Sequence, residues 1–124
     1  MAKRKPRPDD IDSYLPLPAS AMHIIVALAG GEKHGYAIMR DIDDLSGGSV
    51  SMGPGTLYGS IKRMMDQGLV EETEERPDPA LDDQRRRYYR LTSLGHRIGA
   101  AEQARLTALL DAARFRQLGL GGVT

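Results

Sequence analysis

The chain has 124 residues, with 17 Lys and Arg against 17 Asp and Glu, so its net charge is zero and gives no global argument for a nucleic-acid partner. That length bounds it to one domain, and the absence of cysteine excludes both a disulfide framework and thiolate catalysis. No apolar run approaches the ~20 residues of a bilayer span and no apolar leader opens the chain, so a soluble, cytoplasmic protein is expected.

Residues 1–18 hold four of the seven prolines and mixed charge, which predicts a flexible arm with a basic start at Lys3, Arg4, Lys5 and Arg7. Ser20 is a plausible N-cap for a first helix through Met22, Ile24, Ile25, Val26, Leu28 and Ala29, closed by Gly30-Gly31. A second helix begins near His34-Gly35-Tyr36 and carries Tyr36, Ile38, Met39, Ile42 and Leu45 at helical spacing. His34 fits a helix-start cap or the surface, and Tyr36 either fills the first helix pair or meets a phosphate. A turn at Ser46-Gly47-Gly48-Ser49 leads to the third helix, with Pro54 in its first turn, where a missing N–H is harmless.

That third helix is the most informative stretch. Leu57, Ile61, Met64 and Met65 form an apolar face, and Gly68 is a stop signal. The other face gathers Gly55, Thr56, Tyr58, Gly59, Lys62 and Arg63. Small residues at a helix start let a phosphate approach the N–H groups and the positive end of the dipole. Thr56 and Tyr58 can donate to phosphates, while Lys62 and Arg63 reach phosphates or guanine edges.

From Leu69 the pattern turns strand-like. Residues 69–74 and 86–91 flank a polar segment containing Pro77, Pro79, Asp82 and Asp83, predicting a hairpin with a long tip. Tyr89 and Leu91 should face the core. Seven acids against five arginines between Glu71 and Arg90 make this region net −2. Arg90 and Arg87 should pair with glutamates across the strands, whereas Arg85 and Arg86, nearer the tip, can lie along a phosphate or the minor groove. Thr92 or Ser93 caps a last helix bearing two apolar stripes, Leu94, Ile98 and Ala101, then Leu106, Leu109, Leu110 and Ala113. One small domain cannot cover both, so a partner's identical helix is their expected home.

The order helix, helix, helix, hairpin, helix is that of a winged helix-turn-helix. His34-Gly35-Tyr36, Gly55-Thr56-Leu57-Tyr58, Gly68-Leu69-Val70 and Arg87-Tyr88-Tyr89-Arg90-Leu91-Thr92 with Gly95, in that order, resemble the PadR family of bacterial transcriptional regulators over roughly residues 15–100. The resemblance implies a dimeric, DNA-binding repressor, of the short-tailed branch because one helix follows the wing. Some short members bind flat hydrophobic drugs at the dimer interface through a tryptophan. This chain has none, so drug sensing is not carried over, although an unknown small-molecule effector fits the family.

The expected fold is therefore mainly α with a small β-hairpin (α+β). Residues 1–18 form the arm, 19–92 the winged helix-turn-helix, 93–118 a dimerisation helix and 119–124 a disordered tail. The DNA-binding candidates are Gly55, Thr56, Tyr58, Gly59, Lys62, Arg63, Tyr36, Arg85 and Arg86. The dimer candidates are Leu94, Ile98, Leu106, Leu109, Leu110 and Ala113. Partners are double-stranded DNA and a second copy, with no membrane, no cofactor and no enzymatic site. His23, His34 and His96 lack the convergent ligands that a zinc site needs. The competing function is a dimerising adaptor without DNA binding, which zero charge and the acidic wing would suit.

Overall fold

Helix α1 (Ala19–Ala29) is the axis of the molecule. Ala21, Ile24, Ile25, Ala27 and Leu28 make a broad buried face on it, against which the three later helices and the last strand all pack. The structure, a computed structural model, describes residues 10–74, 76–78 and 84–117. Pro18, with its φ pre-set at −56°, stands at the N-cap of α1. Ser20, expected there, instead lies in the first turn, facing the Ser60 hydroxyl.

After the short strand β1 (Lys33–His34), helix α2 (Gly35–Leu45) starts on a side-chain cap. His34 Nδ1 accepts the Ala37 N–H at 3.1 Å, satisfying one of the donors that every helix start leaves open. Ile38 and Ile42 are the fully buried residues of this helix, while Leu45 and Tyr36, expected on its apolar face, are exposed. Helix α3 (Pro54–Asp66) follows with Gly53 at its N-cap and Pro54 first in the helix. It ends in a Schellman motif: Leu69 N–H bonds Met64 O at 2.9 Å, Gly68 N–H bonds Met65 O at 3.0 Å, and Gly68 takes φ +79°.

Strands β2 (Val70–Glu72) and β5 (Tyr88–Leu91) pair antiparallel, with Val70 opposite Leu91 and Glu71 opposite Arg90. β1 adds to the far edge of β5, a pairing too short to show in sequence patterning. Beyond them β3 (Arg76–Asp78) and β4 (Gln84–Arg86) form the outer hairpin. Tyr89 and Leu91 are buried, as the alternation requires. Arg90 meets Glu71 at 2.6 Å and Arg87 meets Glu72 at 3.4 Å on the outer side.

Helix α4 (Ser93–Phe115) is capped by Thr92, whose Oγ1 accepts the Gly95 N–H at 2.9 Å. Its first half belongs to the body. A Cβ on Gly95 would collide with the Leu69 carbonyl oxygen, and one on Gly99 would lie 2.7 Å from Ile25 Cγ2. Ile98 and Glu102 are buried beside them. From Gln103 onward the helix projects about 20 Å, at 1.5 Å per residue, with Ala113 its one half-covered position.

The N-terminal segment departs from the expected arm. Residues 11–14 form a 3₁₀ turn, Tyr14 is buried, and Ile11, Leu15 and Leu17 pack against the core. Leu17 N–H donates to the Glu102 carboxylate at 2.9 Å, and the Tyr14 hydroxyl to Gln67 O at 3.4 Å. Four apolar side chains over seven positions outweigh the prolines and charges that made this stretch look unattached. The basic residues Lys3, Arg4, Lys5 and Arg7, and the tail 119–124, lie outside the described residues.

Candidate nucleic-acid interface

Helix α3 turns Leu57, Ser60, Ile61 and Met64 into the body. Ser60 is buried at the crossing with α1, where its small side chain allows close approach. At 100° per residue, the diametrically opposite strip consists of Gly55, Gly59, Lys62 and Asp66. A Cβ on Gly55 would meet nothing within 4 Å, and one on Gly59 only the Arg63 guanidinium at 3.6 Å. Neither glycine has a positive φ. Nothing in the packing of the described residues therefore calls for glycine at either position, although at Gly59, inside the helix, glycine costs roughly 0.5–1 kcal/mol against alanine. The strip is two glycines beside one lysine and one aspartate, with little side chain standing over its backbone.

The other expected residues take the two flanks. Thr56 is exposed on one side, together with Arg63. Arg63 folds back along the helix, Nη2 donating to the Ser60 hydroxyl at 3.1 Å, so it borders α1 instead of standing beside Lys62. On the other side Tyr58, 45% exposed, lays its hydroxyl against Gly35 at the start of α2, where a Cβ would collide with it. Tyr36 stands next to that contact and is 47% exposed. It does not fill the helix pair. Its ring stacks on His34 at 6.5 Å, and the Arg40 guanidinium lies 5.5 Å above it. Sequence reasoning missed Arg40, although Tyr36 and Arg40 stand one helical turn apart and so share a face. Two phenols and a guanidinium thus lie together beside the N-terminal end of α3.

The wing offers less. Arg90 and Arg87 are committed to Glu71 and Glu72. Arg86 is half-buried in β4, and the Arg85 side chain lies outside the described residues. Burial first, then the Glu72 carboxylate, pushes the Tyr89 phenol up, so it stays neutral under the sheet.

The candidate dimer surface divides. Ile98 is fully buried against its own chain and is withdrawn from that surface; it is core. Leu94 is half-buried, next to Gly68. Leu106, Leu109 and Leu110 are 39%, 61% and 52% exposed, and Phe115, an apolar residue of the same helix outside the dimer candidates, is 89% exposed. Beside the base of α4 a groove of about 520 Å³ runs between the helices, lined by Met22, Ile25, Val26, Ala29, Ala100 and Gln103 among others. Glu102 is the functional surprise of this helix, a buried carboxylate bonded by Leu17 N–H and by Arg105 Nε and Nη2. Among the described residues no three His, Asp or Glu side chains are placed to hold a metal. No described helix is long and apolar enough to cross a membrane.

A face built this way belongs to the winged helix-turn-helix class of DNA-binding proteins. Residues 24–101 match the transcriptional regulator PadR-like family, and the chain belongs to that family. Its members are transcriptional regulators, which places the chain among regulators and not among enzymes. The fold is shared with a PadR family transcription regulator of Clostridium difficile R20291, at TM-score 0.66 and 21% identity over 78% of this chain and 96% of that one. A transcriptional regulator from Clostridium thermocellum aligns at TM-score 0.62 and 21% identity over 89% and 95% of the two chains. Bacillus subtilis PadR in complex with operator DNA aligns at TM-score 0.57 and 21% identity, over 73% of this chain and 48% of that one. In sequence, 55 residues are 44% identical to an uncharacterised 37.1 kDa protein in transposon Tn4556 of Streptomyces fradiae, covering 44% of this chain but 15% of that protein.

Proposed function

We propose that this PadR-family regulator is a homodimeric repressor that reads a near-palindromic operator with α3 of each copy. The observation that carries this reading is the bare strip of α3. Two helical glycines that the packing of the described residues does not need, followed by Lys62 and Asp66, form the narrow strip that a major groove accepts, with Lys62 as its cation. Thr56 on one flank, Tyr58 and Tyr36 on the other, and the Arg40 guanidinium then contact phosphates and fix the register. Arg63 leaves the Ser60 hydroxyl to join them, and Arg85 and Arg86 of the wing lie along the flanking backbone. Lys62→Ala or Tyr58→Ala lowers operator affinity in a gel shift while the dimer persists; undiminished affinity for both rejects the docking. A footprint on the promoter of its own gene locates the operator. Failure to bind that DNA at low salt favours the adaptor reading.

Dimerisation follows from the projecting half of α4. Leu106, Leu109, Leu110 and Ala113 of one copy cover the same residues or the α1 groove of the other, since an unpartnered stripe of leucines at this exposure is poorly soluble. Two-fold symmetry then sets the two α3 helices about 34 Å apart, one turn of duplex. A ligand that alters the angle between the copies would change that spacing and release the operator. Leu109→Glu with Leu110→Glu is expected to give a folded monomer by sedimentation, its far-UV spectrum unchanged, with operator affinity at least ~100-fold weaker because paired half-sites add their energies. A variant that stays dimeric sinks this arrangement.

A further inference from the structure

Asp66 is the residue of α3 that nothing so far explains. It ends the strip Gly55, Gly59, Lys62, Asp66 and is exposed. Among the described residues no hydrogen bond or ion pair engages it. Its position is doubly unfavourable in the isolated chain. A carboxylate in the last turn faces the negative end of the helix dipole, and on a face turned to duplex it faces phosphates as well. Lys62, one turn earlier, is placed to relieve both effects, yet the two side chains form no ion pair.

We infer that Asp66 is a specificity-determining residue, whose carboxylate accepts a hydrogen bond from the N4 amino group of a cytosine in the major groove. The inference rests on the docking of α3 proposed above. Base edges in that groove present few donors, and the cytosine amino group is the one that Asp or Glu selects. Lys62 supplies the complementary choice, donating to the O6 and N7 acceptors of guanine. The two stand four positions apart, about 6 Å along the helix axis, or about two base steps of 3.4 Å. A short side chain reaches a base edge only if the helix lies deep in the groove. The missing side chains at Gly55 and Gly59, on the same strip, permit that depth. Each half-site should therefore carry a guanine and a cytosine about two base pairs apart, read by neighbouring turns of one helix. Against guanine or thymine, which offer no donor in the major groove, the carboxylate is left unpaired beside phosphates, and against adenine its amino group sits beside the N7 acceptor, so Asp66 acts chiefly by rejecting wrong sequences.

The test begins with selection of duplexes from a random pool by the wild-type dimer, followed by affinity measurements for wild type, Asp66→Asn and Asp66→Ala. The selected site is expected to contain one C·G pair whose replacement weakens wild type roughly ten-fold, within the range that one side-chain–base contact supplies. Both variants should lose that preference at that pair alone, keep the others, and bind unrelated duplex more tightly than wild type. Replacing the cytosine by 2-pyrimidinone, which lacks the amino group, should weaken wild type but leave Asp66→Ala unchanged. If the variants tighten binding to all sequences equally, Asp66 is a repulsive charge and the inference fails while the docking stands. If wild type enriches no sequence at all, both readings fall.

Discussion

The glycines of α3 and those of α4 are used in opposite ways. Gly95 and Gly99 lie where α4 presses on the Leu69 backbone and on Ile25, with no room for another atom. On α3, Gly55 faces open space, and Gly59, half-exposed, meets only the flexible end of Arg63. The first pair is explained by the fold, because without it α4 could not close over α1 and β5. The second pair fills no packing requirement among the described residues, which is what the proposed docking on DNA would explain. Residue type alone does not separate the two cases. The space around each Cβ does.

The comparison breaks first, and by the largest amount, at Gly95. Its added Cβ would strike the Leu69 carbonyl, a backbone atom already held as acceptor of the Thr92 N–H at 3.0 Å. Neither side can give by rotating a side chain. Gly95→Ala is expected to cost about 3 kcal/mol, at the upper end of overpacking penalties, measured as a drop in the urea midpoint. A change below about 0.5 kcal/mol would show that α4 is not seated where this contact places it.

Next in size is Glu102, two turns further along the same buried face of α4 as Gly95. The hydrogen bond from Arg105 is the largest influence on its carboxyl and, with the Leu17 N–H, outweighs burial to hold it below the usual glutamate value. A carboxyl lowered in the native state stabilises fully above its unfolded value, and that stabilisation is lost as pH falls through the native one. Glu102→Gln should therefore cost about 1–2 kcal/mol at neutral pH, in the range of a hydrogen bond to a charged group. The gap to wild type should close in acid. Denaturant midpoints at pH 7 and pH 3 check this, and a gap of constant size would mean that the charge contributes nothing.

How far all this was legible in the sequence follows the range of the interactions. The apolar face of α3, Pro54 at its start, Gly68 at its stop and the pairing of Arg90 with Glu71 depend on near neighbours or on one strand register, and spacing reveals them. Glu102 does not appear that way, because its backbone partner, Leu17, is 85 residues distant. The same holds for residues 11–18, whose attachment depends on Tyr14 meeting the end of α3. Ile98 shows a different limit. An apolar stripe announces that it will be covered, but not whether its own chain or another covers it. The antiparallel pairing of the wing was legible, but each expected strand is broken into two short pieces, β2 and β3, then β4 and β5, and charge counts did not show which cation is already paired.

The smallest effect sharpens the comparison most, because its two readouts should move in opposite directions. Gly59→Ala adds a methyl group to a helix interior, where the nearest atom is the flexible end of Arg63 at 3.6 Å. The fold should gain roughly 0.5–1 kcal/mol from the better helix former, seen as a higher urea midpoint. If the strip seats against DNA, the same methyl group stands between helix backbone and groove, and operator affinity should fall although the protein is more stable. A stability loss would mean that Gly59 belongs with Gly95 and Gly99 as a packing glycine. A gain in stability with unchanged affinity would leave the bare strip without a function, and the case for docking would shift to Lys62 and Tyr58. Opposite signs from one methyl group are hard to obtain by any route except a surface that the fold leaves open for a partner.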